Sequence, residues 1–448
     1  MKKIVIGLLI VLLILFGGLW MLGLSPLSLQ ANLNVGLGIT AKLGCSSRYV
    51  SGMDAAQAKA DQLSYSPVLN LFELAYDDTT RTAIASAFGL ETRARWRPGL
   101  GCALVFEQPS PLDNITIPSL PTPVGLWPRG PQMEPPNTQV QAVLDEIMQA
   151  DNNAGQQTRV LLVAHQGRIV AESYADGTDV DTPLLGWSMG KSLMAMLLGQ
   201  LQMQGELEVT DTQLFPQWQD ERRQLTVEHL LQMSSGLDFS EVYLPPSDAT
   251  EMLFDSYSTP AVALRSQLAH LPGTHFSYSS GTTNLLAQLL VDRVGGAQAA
   301  VDRFYRRFLG PLGMRHTILE PDASGVWVAS SYIFASGRDW ARLGQLMLNE
   351  GELNGQRIFT KAWAIASRQP NQSSNTPGYG YQFWLNRNGA QLRWPSLPED
   401  TLAMMGNRQQ RVMIVPSQQA VLVRLGWSPG SYPDDQNFAA MLAALPAN

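Results

Sequence analysis

A serine three residues ahead of a lysine marks the most chemically suggestive stretch of the chain, Ser188-Met189-Gly190-Lys191. Residues three apart on a helix share a face, so this spacing sets a hydroxyl beside an amine. A serine hydroxyl becomes a useful nucleophile when a base takes its proton. Lysine can be that base once burial or a nearby cation lowers its pKa from about 10.4. The run that follows, Ser192 to Leu201, is mostly apolar and strongly helix-forming, which predicts a buried helix. Pro183 blocks helix upstream, so the helix begins near Ser188 and offers its N-terminal N–H and dipole to an oxyanion. Lysine is scarce: Lys2, Lys3, Lys42, Lys59, Lys191 and Lys361 are all there is, and arginine, which keeps its proton, supplies the rest. A serine that merely caps a helix and a lysine that reaches solvent would give the same tetrapeptide, so the rest of the chain decides.

A proton carrier to serve this pair is found in Pro272-Gly273-Thr274-His275-Phe276-Ser277-Tyr278-Ser279-Ser280-Gly281. Tyr278 falls on a polar loop just before an apolar helix, where its hydroxyl could bridge Ser188 and Lys191 and pass a proton to a leaving group. Gly186-Trp187-Ser188-Met189-Gly190 also fits the G-x-S-x-G turn of α/β-hydrolases. That fold needs a strand directly before the serine and a histidine late in the chain. Pro183 interrupts the strand, and the last histidine is His316.

The elements that position these groups belong to a long, apolar-rich chain of 448 residues with 45% hydrophobic residues and a net charge of −7. That length suggests two domains, and that charge argues against a nucleic-acid surface. The five histidines form no metal motif, and neither metal nor organic cofactor is called for. Lys2-Lys3 precede an apolar run from Ile4 to Leu24, long enough to span a bilayer. Residues 1–24 therefore read as an uncleaved signal-anchor with the remainder in the periplasm or outside the cell. Cys45 and Cys102, the only cysteines, fit a disulfide in that oxidising setting, although two free buried thiols remain an alternative.

Residues 25–108 read as a small module: an extended connector over 25–50, a short helix from Asp54, and a meander of strands from Leu71 to Phe106. Residues 109–136 form a proline-rich linker. The second domain, 137–448, opens with a helix from Thr138 to Ala150 and a hairpin, Arg159 to His165 and Arg168 to Tyr174. The C-terminus mirrors it with strands Val412 to Val415 and Ala420 to Leu425 and a helix from Asp435 to Leu445. Strands at both ends around a helical middle predict an α+β domain: one antiparallel sheet flanked by helices, with an inserted helical lobe.

On these motifs the second domain resembles the serine beta-lactamase and penicillin-binding protein superfamily. It is most similar to the branch of class C beta-lactamases, esterases and 6-aminohexanoate-dimer hydrolases. Leu230-Leu231-Gln232-Met233-Ser234-Ser235-Gly236-Leu237, Ala335-Ser336-Gly337-Arg338-Asp339-Trp340 and Gly378-Tyr379-Gly380-Tyr381 carry the same likeness. The resemblance implies Ser188 as acylated nucleophile, Lys191 as its base partner and Tyr278 as general acid and base. The third motif departs from the family pattern. A Lys-Thr-Gly or His-Gly-Gly stretch is replaced by Gly406-Asn407-Arg408-Gln409-Gln410. Asn407 stands for the cation that helps seat a substrate carboxylate, while the second oxyanion donor, a main-chain N–H near Gln410, survives side-chain change. With Ser280 where lactamases carry asparagine, this favours an ester or amide over a beta-lactam. Trp187, Tyr243, Trp327, Tyr332 and Trp384 are candidates to line an acyl pocket. The expected partners are thus a small-molecule or peptide-like acyl substrate and a membrane. The alternative is a catalytically impaired cell-envelope binding protein of the same fold.

Overall fold

The computed structural model describes residues 29–446 apart from 377 and 388. The apolar run at 4–24 lies outside them, and among the described residues no helix is long and apolar enough to cross a membrane.

The chain opens with a buried helix α1, Leu29–Tyr49, where an extended connector was expected. Gly36, Gly38 and Gly44 lower its intrinsic helicity, and its few charges give no amphipathic signal. Tertiary packing overrides both: Val35, Leu37, Ala41 and Leu43 are all buried. Helix α2, Ala55–Leu63, follows, capped by Asp54. Strands β1 Glu73–Asp77, β2 Thr82–Ala87, β3 Leu90–Arg97 and β4 Gly101–Leu104 form an antiparallel meander. Cys45 and Cys102 are disulfide-bonded, joining α1 to β4. Residues 109–136 lack long regular elements, but the expected extended linker is broken by a 3-10 turn at Pro111–Asn114 and by a hydrogen-bonded turn between Gly125 and Gln132. Prolines leave carbonyls without ladder partners, and arginines take them: Arg315 those of Leu120 and Pro121, Arg342 those of Pro128 and Gly130.

Helix α3, Thr138–Asn153, leads into the hairpin β5 Thr158–His165 and β6 Arg168–Tyr174. Helix α4 is Met189–Met203, α5 is Ser280–Val294 and α6 is Gly337–Leu348. The chain closes with β7 Trp384–Leu385, β8 Leu402–Gly406, β9 Gln410–Val415, β10 Ala420–Gly426 and helix α7 Asp434–Ala443. One six-stranded sheet runs β7-β8-β9-β10-β5-β6, antiparallel throughout, with Leu422 opposite Val163. Alternation on β5 splits its side chains between two cores. Leu161 and Val163 meet α3 and α7, while Val160, Leu162 and Ala164 share a core with α4 and α6. Burial on both faces explains why the strands read as unbroken apolar runs. Val35, Leu43 and Leu100 of the N-terminal unit belong to the same core as α4.

Candidate active site

Ser188 sits at a tight turn into α4. Trp187 takes a left-handed φ of 49°, and the N–H groups of Met189, Gly190 and Lys191 close back on the carbonyls of residues 186, 187 and 188. The serine is half-buried and its side chain makes no capping bond, so the hydroxyl is not consumed in holding the helix. Gly190 allows the first turn to pack closely: a Cβ there would lie 2.4 Å from the Ala329 carbonyl oxygen. That approach brings the next carbonyl, of Ser330, to 3.0 Å from the Lys191 Nζ.

Lys191 is 1% exposed. Its Nζ lies 3.1 Å from Ser188 Oγ and 3.0 Å from Ser280 Oγ. Burial lowers its pKa to about 8, with the Glu241 carboxylate acting in the opposite direction. The ring of Tyr278 faces the amine, with Nζ 4.9 Å from its centroid. Burial holds the Tyr278 phenol well above its usual pKa, opposed by a side-chain hydrogen bond with Ser188. The ring is fixed by stacking on Trp384, centroids 5.3 Å apart, and by the edge of Tyr379 at 6.0 Å. The hydroxyl, the amine and the phenol singled out in the sequence thus meet in one place.

Glu241 completes the arrangement and was not picked out from the sequence. Its carboxylate accepts the Ser280 hydroxyl at 2.6 Å and the Ser280 main-chain N–H at 2.7 Å. The available signal was indirect: an unassigned acid in a polar loop, facing a helix N-terminus that favours negative charge. Tyr243 is half exposed, but its hydroxyl reaches this network, donating to Glu241 at 2.7 Å and lying 3.4 Å from Ser280 Oγ. Because Ser280 gives its proton to Glu241, its oxygen can only accept from Lys191, as can the Ser330 carbonyl. A neutral amine has two N–H bonds and one lone pair. With both N–H bonds so used, the lone pair is left for the hydroxyl of Ser188.

The divergent third motif abuts the nucleophile turn. A Cβ on Gly406 would sit 2.1 Å from the Gly186 carbonyl oxygen. Asn407 is exposed and its side chain accepts only the N–H of Arg408 among the bonds described for it. Arg408 and Gln409 are left-handed, with φ of 58° and 66°. The guanidinium of Arg408 turns away from solvent and lies 3.8 Å from the centre of the Tyr65 ring. Gln410 is buried at the start of β9, its side chain exchanging hydrogen bonds with the backbone of Gly426.

The remaining aromatic candidates divide. Trp384 packs on Tyr278, whereas Trp327 lies against Phe304 and Tyr332 lies under the Lys42 amine, both in the core. Trp187 is 5% exposed and packs among Tyr65, Tyr332 and Trp427. Arg393 lies over the other ring system of this region, 4.6 Å from the Trp384 centroid, and its Nε is buried without a partner. Among the described residues no group of three or more histidine, cysteine or acidic side chains could hold a metal ion.

The Beta-lactamase family profile matches residues 140–445. The chain belongs to the beta-lactamase family. As a beta-lactamase-fold protein it is a serine hydrolase with an α+β architecture. It is 23% identical over 293 residues to the 6-aminohexanoate-dimer hydrolase of Paenarthrobacter ureafaciens, covering 62% of this chain and 73% of that one. Among solved structures it is similar to a hydrolase with promiscuous acyltransferase activity, with a TM-score of 0.55, 15% identity, and 68% and 98% of the two chains covered. A class C beta-lactamase superimposes with a TM-score of 0.54 at 15% identity, over 69% of this chain and 98% of the other. The family profile begins at residue 140, so the unit of α1, α2 and β1–β4 lies outside it.

Proposed function

We propose that the protein cleaves an ester or amide through an acyl-enzyme on Ser188, with Lys191 as base and Tyr278 as proton donor. One observation carries this reading: an amine 1% exposed, with a pKa near 8, stands 3.1 Å from the serine hydroxyl. Lys191 takes the Ser188 proton as Oγ adds to the substrate carbonyl. The oxyanion forms against the N–H groups of Ser188 and Gln410. Tyr278, which burial keeps protonated, gives its proton to the leaving oxygen or nitrogen as the old bond breaks. A phenolate so formed is the stronger base and recovers a proton from Lys191. Water then enters by the same steps in reverse and frees the acid.

The likeness to a 6-aminohexanoate-dimer hydrolase supports an amide or ester as the acyl substrate. Asn407 and the inward turn of Arg408 support it further, since neither supplies a cation to the cleft. The lysine-flanked apolar run at 4–24 and the disulfide support a membrane-anchored enzyme with its active site outside the cytoplasm.

The test is covalent labelling of the purified protein by a fluorophosphonate, alongside hydrolysis of a short-chain ester, in wild type and Ser188→Ala. Both should occur in wild type and vanish in the variant. An absence of both in wild type would favour the second reading, a cell-envelope binding protein built on an altered third motif. Membrane fractionation of cells expressing the chain with and without residues 1–24 tests the anchor.

A further inference from the structure

The N-terminal unit reaches the back of the active site through the side chain of Tyr65. Tyr65, just after α2, places its ring 3.8 Å from the Arg408 guanidinium and edge-on to Trp187 at 6.0 Å. Trp187 immediately precedes Ser188, and Arg408 lies two residues before Gln410. These are the two places from which main-chain N–H groups would converge on an oxyanion. Trp187, Arg408 and Gln409 all hold left-handed backbone conformations, which non-glycine residues adopt at a cost unless their surroundings enforce them. The surroundings here are specific. Tyr65 also meets Trp427 edge-on at 5.5 Å. The indole N–H of Trp427 donates to the Asp61 carbonyl at 2.9 Å and to Ser64 Oγ at 3.0 Å, both in the N-terminal unit. The Asp61 carboxylate is held in turn by Arg159 of β5, at 2.7 and 2.8 Å. On the other side Arg424 donates to the carbonyls of Arg408 and Gln409, at 3.2 and 3.0 Å.

We propose that the N-terminal unit completes this active site, with Tyr65 as the positioning residue that holds both oxyanion donors in register. The proposal rests on the acyl-enzyme reading above. Tyr65 touches no reacting atom. It works through Arg408, whose cation seeks an aromatic face in a site where its Nε has no hydrogen-bond partner, and through Trp187. The large, charged residue at 408, where the resemblance leads one to expect a small one, is the side chain the unit grips.

The experiment compares Tyr65→Ala and Tyr65→Phe in the full chain, reading kcat and KM for a short-chain ester, the pH profile and thermal unfolding. Misplacing a preorganised donor costs about tenfold to hundredfold in rate. Tyr65→Ala should lose about that much in kcat, with KM within about twofold and the pH at which activity rises unmoved. Tyr65→Phe keeps the ring and should keep most of the rate. If Tyr65→Ala does not fold, Arg408→Met releases the same contact from the other side and should show the same loss in kcat. Folded Tyr65→Ala or Arg408→Met with wild-type kcat would overturn the proposal and leave the acyl-enzyme reading standing. Wild type that neither labels nor turns over would remove both.

Discussion

Glu241 takes two hydrogen bonds from one residue, accepting the hydroxyl and the main-chain N–H of Ser280 at 2.6 and 2.7 Å. The pair fixes the direction of the Ser280 proton and so makes Ser280 an acceptor for Lys191. It also sets a negative charge near the amine, which raises the Lys191 pKa against the larger effect of burial. The active form carries a neutral amine, so kcat/KM should rise with pH through a value near 8. In Glu241→Gln the charge is gone, and that rise should move to lower pH, with a reduced plateau because Ser280 is no longer firmly oriented. A pH–rate profile on the short-chain ester checks it; a rise moved to higher pH would contradict the proposed electrostatics.

Lys191 also carries a stability cost that can be measured. Burial lowers its folded pKa to about 8 from the ordinary 10.5. Below pH 8 both folded and unfolded chains hold the proton, and the folded one holds it in an unfavourable place. Between about 8 and 10.5 the unfolded chain binds more protons, so this contribution improves as pH rises. Lys191→Met should be inactive yet more stable at pH 7, by up to about 3 kcal/mol. The advantage should shrink as pH approaches 10.5. Urea unfolding at pH 7 and pH 10 reads both points, and a variant less stable at pH 7 would refute the assignment.

Lys42 and Glu320 form an ion pair that is 2% and 0% exposed, binding α1 to the catalytic body. Burial pushes Lys42 down and Glu320 up, toward their neutral forms, and their mutual attraction resists it. Glu320 also accepts the Ser46 hydroxyl at 3.0 Å and the Cys102 N–H at 2.6 Å. Lys42→Ala should destabilise the protein by about 3–5 kcal/mol, because it strands a buried carboxylate. Lys42→Met combined with Glu320→Gln should recover most of that loss. Denaturant midpoints for the single and double variants decide between a costly orphan charge and a pair of little consequence.

Gly406 is required for space rather than for its backbone angles, since its φ is −130°. A methyl group there would meet the Gly186 carbonyl at 2.1 Å and push the third motif off the nucleophile turn. Gly406→Ala should fold, lose about 1–3 kcal/mol, and lose about a hundredfold in kcat. Steady-state kinetics beside a thermal melt separate the two effects; full activity would show that the turn has room to yield.

The parts of this arrangement legible in the sequence are those governed by local spacing. Three-residue separation paired Ser188 with Lys191, the apolar run after them announced a buried helix, and alternating or unbroken apolar segments at both ends announced the sheet. The hairpin β5–β6 and strands β9 and β10 fall where those patterns put them, within a residue or two. What spacing missed depends on contacts between distant segments. Helix α1 is made by burial against partners far along the chain. Glu241 meets Ser280 across 39 residues, with no periodicity to link them. The direction of Arg408 is set by Tyr65, more than 300 residues earlier, which no local pattern links to it.

The strand order has one further consequence. Strand β5 finds its neighbours in β6, a few residues on, and in β10, which is more than 250 residues away in sequence. A ribosome must therefore emit more than 250 further residues after β5 before that edge can be closed. Until then an apolar strand stands with one edge open, which is the kind of surface that chaperones occupy and that aggregation exploits. The order of synthesis thus keeps one edge of β5 unpaired until β10 has been made.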